Sequence, residues 1–169
     1  MKNIVLIGMP SAGKSTIGII LAKVLGYQFL DSDLLIQEQE KALLKDIIDE
    51  RGIDGFLAIE NQVNSEIDAV ATVIATGGSV VYGKEAMEHL LENGIVVYIK
   101  LSLKTIADRL GNIKQRGVVL REGQNLKMLY EERCPLYEKY AHITVSGENL
   151  NTEELMEKII EEFHKIKEK

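Results

Sequence analysis

The residues with the clearest chemical meaning lie near the start of the chain. Gly8-Met9-Pro10-Ser11-Ala12-Gly13-Lys14-Ser15 fits G-x-x-x-x-G-K-[ST] at every fixed position. Glycine at 13 lets the backbone come close to phosphate oxygens, and successive N–H groups with the positive end of a following helix hold them. Lys14 adds a mobile cation toward the bridge between the β- and γ-phosphates, and the Ser15 hydroxyl is a ligand for Mg²⁺. The pattern predicts a bound nucleoside triphosphate. It does not by itself separate a kinase from a GTPase switch or a motor.

A second constellation follows at Asp31-Ser32-Asp33, just after a short apolar run. In an extended segment, residues two apart project to the same side, so both carboxylates face one site. One can hold Mg²⁺ directly or through water, while the other accepts a proton from an alcohol. The alternative is a surface turn or a helix N-cap, because Asp33 directly precedes Leu34-Leu35-Ile36.

These groups need a frame, and the chain supplies one by alternating short β-branched runs with longer helical patterns. Strands are expected at Asn3 to Ile7, Tyr27 to Leu30, Thr72 to Ala75, Ile95 to Leu101 and His142 to Val145. Between them, Ile17, Ile20, Leu21, Val24 and Leu25 make one helical stripe that ends at Gly26. Ser102 opens a helix over Thr105 to Leu110, and Asn151 with Glu154 resembles a capping box for the last one. The order predicts an α/β fold, a five-stranded parallel sheet flanked by helices. The helical stretch at about 33–70, broken at Gly52 and Gly55, is expected to be a substrate-binding insertion.

At 169 residues the chain has the length of one domain, taken as 1–169. The opening run, broken by Gly8 and Pro10, is too short for a signal peptide or a span, so a cytoplasmic location is expected. A net charge of −6 argues against nucleic acid and membrane as partners, so any anion must be caught by a local site. The charge run from Glu153 to Lys169 reads as the solvated face of a terminal helix. Cys134 has no second cysteine, and His89, His142 and His164 lack metal-ligand spacing.

Taken together, GMPSAGKSTIG, LDSD at 30–33, Phe56 to Glu60 as F-x-x-I-E, ATGGSV at 75–80, an arginine near 116 and ERCPLY at 132–137 resemble the shikimate kinases. The resemblance runs over nearly the whole chain. It implies a P-loop kinase fold related to nucleoside monophosphate kinases, with a mobile lid at about 111–123. It implies a monomer that transfers the γ-phosphoryl of ATP, with Mg²⁺, to the 3-hydroxyl of shikimate in aromatic amino acid biosynthesis. Carried over by position, Lys14, Asp33 and Arg116 are catalytic. Ser11, Ala12, Gly13, Lys14, Ser15 and Thr16 hold the nucleotide, with Arg109 along the adenine and Arg116 closing on the phosphates. Asp33, Leu57, Gly77, Gly78 and Arg133 meet the acceptor, Arg133 gripping its carboxylate. Ser15 and Asp31 serve the metal, Asp31 at one remove.

The chain departs from the family pattern where the acceptor is gripped. Leu57 stands where the family has a second clamp arginine, and Glu60 has thereby lost its expected counter-ion. Thr76-Gly77-Gly78 replaces a triple glycine, and Arg116-Gly117-Val118-Val119 replaces Arg-Pro-Leu-Leu. One charge-assisted contact is worth roughly 1.5–3 kcal/mol, or about ten- to a hundredfold in affinity. Either Arg51 or Arg121 takes over, or the acceptor is another hydroxylated metabolite. A nucleotide-dependent switch without phosphoryl transfer is the alternative of a different class.

Overall fold

Four of the five residues of Asn3–Ile7 are aliphatic and all five are buried, as a strand covered on both faces requires. This strand, β1, is the middle one of a five-stranded sheet in a computed structural model that describes residues 2–111 and 118–169. The others are β2 (Gln28–Asp31), β3 (Thr72–Ala75), β4 (Gly94–Lys100) and β5 (Ile143–Ser146), in the order β2-β3-β1-β4-β5. Every pairing is parallel, with Leu6 opposite Ala75 on one side and Val97 on the other. All five strands thus end at one edge, the edge at which open α/β sheets bind ligands. The expected strands are all present, three of them displaced by a single residue. Arg116, Gly117 and the first part of the expected lid at 111–123 lie outside the described residues.

Among the described residues, seven α-helices flank the sheet. Helix α1 (Lys14–Leu25) buries Ile17 and Leu21 against it, each worth roughly 1.5–3 kcal/mol of transfer free energy, and ends on Gly26 in the left-handed region. Helix α2 (Ser32–Glu40) begins immediately after β2, and α3 (Leu44–Ser65) is interrupted at Gly52, whose φ of 72° is open to glycine. Gly55, also expected as a break, sits inside the second part of α3. Helix α4 (Lys84–Asn93) leads into β4, α5 (Leu103–Leu110) follows it, and α6 (Leu126–Tyr140) precedes β5. Ser102 caps α5, and the Asn151–Glu154 capping box opens α7 (Thr152–Lys167).

Two apolar clusters result. The larger lies between the sheet and its helices, and the smaller joins Ile36, Ile47, Phe56 and Val63 of α2 and α3 to Val119. Val119 ties the segment after the undescribed stretch to the α2–α3 lobe, so the lobe and the sheet edge enclose a cleft. No helix among the described residues is long and apolar enough to cross a membrane.

Candidate active site

The loop between β1 and α1 builds the floor of that cleft. Ser11 (φ 63°) and Gly13 (φ 91°) are both left-handed, the alternation that turns successive backbone N–H groups to one concave side. Lys14, 8% exposed, folds back over the loop, its Nζ donating to the carbonyls of Gly8 (2.6 Å) and Met9 (2.9 Å). Burial pushes its ammonium down to about 8, with Asp33 opposing the shift. An arriving phosphate therefore meets a cation already held in place.

Asp31 closes the next strand, and its two oxygens divide their work. Oδ1 caps α2 by accepting from the N–H groups of Asp33 (2.9 Å) and Leu34 (3.3 Å), while Oδ2 accepts from the Ser15 hydroxyl at 2.7 Å. The helix begins at Ser32, so the two aspartates do not share the face of an extended segment; they are separated by a strand-to-helix turn. The cap belongs to Asp31, and Asp33 is left free of that role. Its buried Oδ1 has no hydrogen-bond partner among the described residues. Burial, then the neighbouring Asp31, raises its carboxyl to about 6. The Ser15 hydroxyl and Asp31 carboxylate are hard oxygen donors of the kind Mg²⁺ takes in ones and twos beside phosphate and water.

After β3, the Thr76 hydroxyl donates to the Leu6 carbonyl at 2.8 Å and holds Gly77 and Gly78 beside the loop. A Cβ on Gly77 would lie 2.6 Å from Asp33 Oδ1 and 2.8 Å from Glu60 Oε2; one on Gly78 would lie 2.9 Å from Arg133 Nη1. Only glycine leaves this approach open. Arg133 itself is 1% exposed, with Nη2 donating to the Val119 carbonyl (3.0 Å), Nε to the Tyr82 hydroxyl (3.4 Å) and its guanidinium over the Tyr82 ring. Tyr82 in turn donates to Glu132.

Two cavities meet over the loop. One, of about 290 Å³, is lined by Lys14, Asp33, Glu60, Gly77, Gly78 and Arg133, with Phe56 and Val119 as apolar walls. The other, of about 250 Å³, runs between Leu101, Arg109, Leu150 and Leu155. Ala12, Gly13 and Thr16 line both. The shikimate kinase family model matches residues 10–164. The chain belongs to the shikimate kinase family. It is 35% identical to the shikimate kinase of a Sulfurihydrogenibium species over 161 residues, 95% of this chain and 96% of that one. It is 36% identical to that of Thermodesulfovibrio yellowstonii over 169 residues, 98% and 97% of the two chains. The shikimate kinase of Acinetobacter baumannii, solved in complex with shikimate, superposes with a TM-score of 0.91 at 34% identity, covering 100% of this chain and 96% of that one.

As a member of the shikimate kinase family the chain is an ATP-dependent phosphotransferase with an alcohol group as acceptor. The cavities bring together most of the residues expected from its sequence. Ser11, Ala12, Gly13, Lys14, Ser15, Thr16, Asp33, Gly77, Gly78 and Arg133 all line the first, and Arg109 lines the second. Leu57 lines neither. It faces a smaller adjoining space shared with Tyr82, Arg121, Glu132 and Arg133. Arg121 is paired with Asp54 at 2.8 Å and Arg51 with Glu40 at 3.7 Å, both at the surface, so neither candidate replacement reaches the main cavity. Arg116 lies outside the described residues.

Three contributors escape sequence reasoning. Ser79 donates to Glu60 Oε1 at 2.6 Å, Tyr82 braces Arg133, and Tyr137 donates to the Gly78 carbonyl from the far side of the glycine pair. The sequence signal for Ser79 is its place directly after Gly78; Tyr82 carries none.

Proposed function

We propose that this protein transfers the γ-phosphoryl group of ATP to the 3-hydroxyl of shikimate, a cytoplasmic step of aromatic amino acid biosynthesis. One observation carries the reading. The two cavities share only the phosphate loop, and the carboxyl aimed into the far one has an oxygen without a partner. A nucleoside between Leu101 and Leu155 would lay its phosphates over Gly13 and Lys14, and an alcohol in the other cavity would face the terminal phosphorus.

In this reading Asp33 accepts the acceptor's hydroxyl proton as its oxygen bonds to the γ-phosphorus. The bond from that phosphorus to the β,γ-bridging oxygen breaks, and ADP leaves. Lys14, fixed by two carbonyls, meets the charge that gathers on the leaving phosphate. Ser15 and Asp31 would hold Mg²⁺, which neutralises phosphate charge when bound. Arg133, braced by Val119 and Tyr82, presents Nη1 beside Gly78 to the acceptor's carboxylate.

A second reading, an acceptor with no carboxylate, is favoured by Leu57, which leaves Arg133 as the one acceptor-side cation of the main cavity among the described residues. A coupled ADP-release assay with shikimate beside a panel of sugars, polyols and hydroxy acids separates the two. Turnover with shikimate at least tenfold above any other acceptor is expected; turnover confined to an uncharged polyol would overturn the assignment.

A further inference from the structure

Glu60 is a buried carboxyl of the acceptor cavity to which phosphoryl transfer assigns no work. It projects from α3 and is 2% exposed. Its Oε1 accepts the Ser79 hydroxyl, and its Oε2, also buried, has no partner among the described residues. The family's counter-ion, an arginine one turn earlier on the same helix, is Leu57 here. The charged groups that face Glu60 are Asp33 from α2, Arg133 from α6 and Lys14 from α1. Both cations have their hydrogen bonds elsewhere, Lys14 to Gly8 and Met9, Arg133 to Val119 and Tyr82.

The unpartnered oxygen points at the place where the acceptor must sit. Glu60 Oε2 and Asp33 Oδ1 both border Gly77, and Arg133 Nη1 borders Gly78. A molecule resting on the glycine pair thus meets a proton acceptor, a cation and Glu60 together. An ionised Glu60 could only accept, and it would set a second negative charge beside Asp33 and against a carboxylate of the acceptor. A protonated one offers a donor.

We propose that Glu60, held as a neutral acid, donates a hydrogen bond from Oε2 to an oxygen of the bound acceptor, supplying in this chain the donor that an arginine at position 57 would supply. Burial, with Asp33 adding to it and the Ser79 hydroxyl opposing, raises the carboxyl to about 7, so the acid form persists to neutral pH. The inference rests on the assignment of an alcohol acceptor to this cavity.

The test is the pH profile of kcat/KM for the acceptor at saturating ATP, which reports groups of the free acceptor site. For the wild type it should rise as Asp33 ionises through about 6, crest between 6 and 7, and then fall above about 7 as Glu60 loses its proton, approaching tenfold for each further pH unit. In Glu60→Gln the amide keeps a donor at every pH and an oxygen for Ser79, so that limb should vanish, and at pH 9 the variant should exceed the wild type by about tenfold or more. Glu60→Ala should lower kcat/KM at every pH through the acceptor KM, leaving the ATP KM in place. A fall above pH 7 in Glu60→Gln as steep as in the wild type would overturn the proposal, as would a wild-type profile that stays level to pH 9. The acceptor used is whichever the ADP-release panel identifies, so failure of shikimate as substrate and failure of Glu60 as donor are seen separately.

Discussion

Replacing Glu60 with glutamine should flatten the pH dependence of stability of the ligand-free protein between pH 4.5 and 8. In the native state the carboxyl holds its proton to about 7, while in the unfolded chain it releases it near 4.5. Between these values the native state binds more protons than the unfolded one, so stability falls as pH rises and the penalty is complete above about 7. Each pH unit of that gap is worth roughly 1.4 kcal/mol, so the whole amounts to about 3 kcal/mol, an order-of-magnitude figure for a side chain sealed from solvent. Asp33, raised to about 6, contributes a slope of the same sign in both proteins, which cancels in their difference. Urea unfolding followed by circular dichroism at pH 4.5, 6, 7 and 8 supplies the free energies. Near pH 4.5 the two proteins should lie within about 1 kcal/mol, since Ser79 can donate to either side chain. At pH 8 the variant should be ahead by about 3 kcal/mol. Parallel curves across the range would refute the argument, because a group that ionises equally in both states cannot distinguish them.

Lys14→Met should lower kcat by about 10²–10³-fold with little change in folding, as for other donors aimed at charge that develops in the transition state; single-turnover kinetics with ATP checks it, and full turnover would remove the lysine from the reaction. Asp33→Asn should lower kcat by about 10²–10⁴-fold while the ATP KM stays within about threefold, and a change confined to the ATP KM would show that Asp33 does not meet the acceptor. Leu57→Arg should lower the shikimate KM by about tenfold through a second charge-assisted contact with the carboxylate. Because Leu57 opens onto the space beside Arg133 and Glu132, an unchanged KM would mean that an arginine there spends itself on Glu132 and never reaches the acceptor.

The frame was legible because its signals are local. The aliphatic run at Asn3–Ile7, the stripe from Ile17 to Leu25, Gly26 and the Asn151–Glu154 box each reflect neighbours within one strand or one turn. The phosphate loop was legible for the same reason, since eight consecutive residues carry its geometry. The Asp31-Ser32-Asp33 segment was half legible. Its spacing points to two functional carboxylates, but side chains two apart share a side only in an extended backbone, and α2 begins at Ser32, which hands the cap to Asp31. What stayed hidden depends on contacts between elements far apart in the chain. Tyr82 and Arg133 are 51 residues apart, and Tyr137 reaches Gly78 across 59. Leu57 shows the same limit from the other side. Its family position places it at the acceptor, but packing of α3 turns it toward Arg121 and Glu132.

The crowding around Gly77 also constrains how this enzyme can diverge. A methyl group there would press on two carboxyl oxygens at once, and on Gly78 it would press on Pro10 and a guanidinium. Enlarging Gly77 requires Asp33 and Glu60 to give way, and enlarging Gly78 requires Pro10 and Arg133 to do so, so single substitutions at these glycines are expected to disturb the groups that meet the acceptor. Position 57 carries no such debt, since Leu57 borders open volume. New acceptor preferences in this lineage should therefore arise at the rim, through residue 57, while the glycine platform passes unchanged from one specificity to the next.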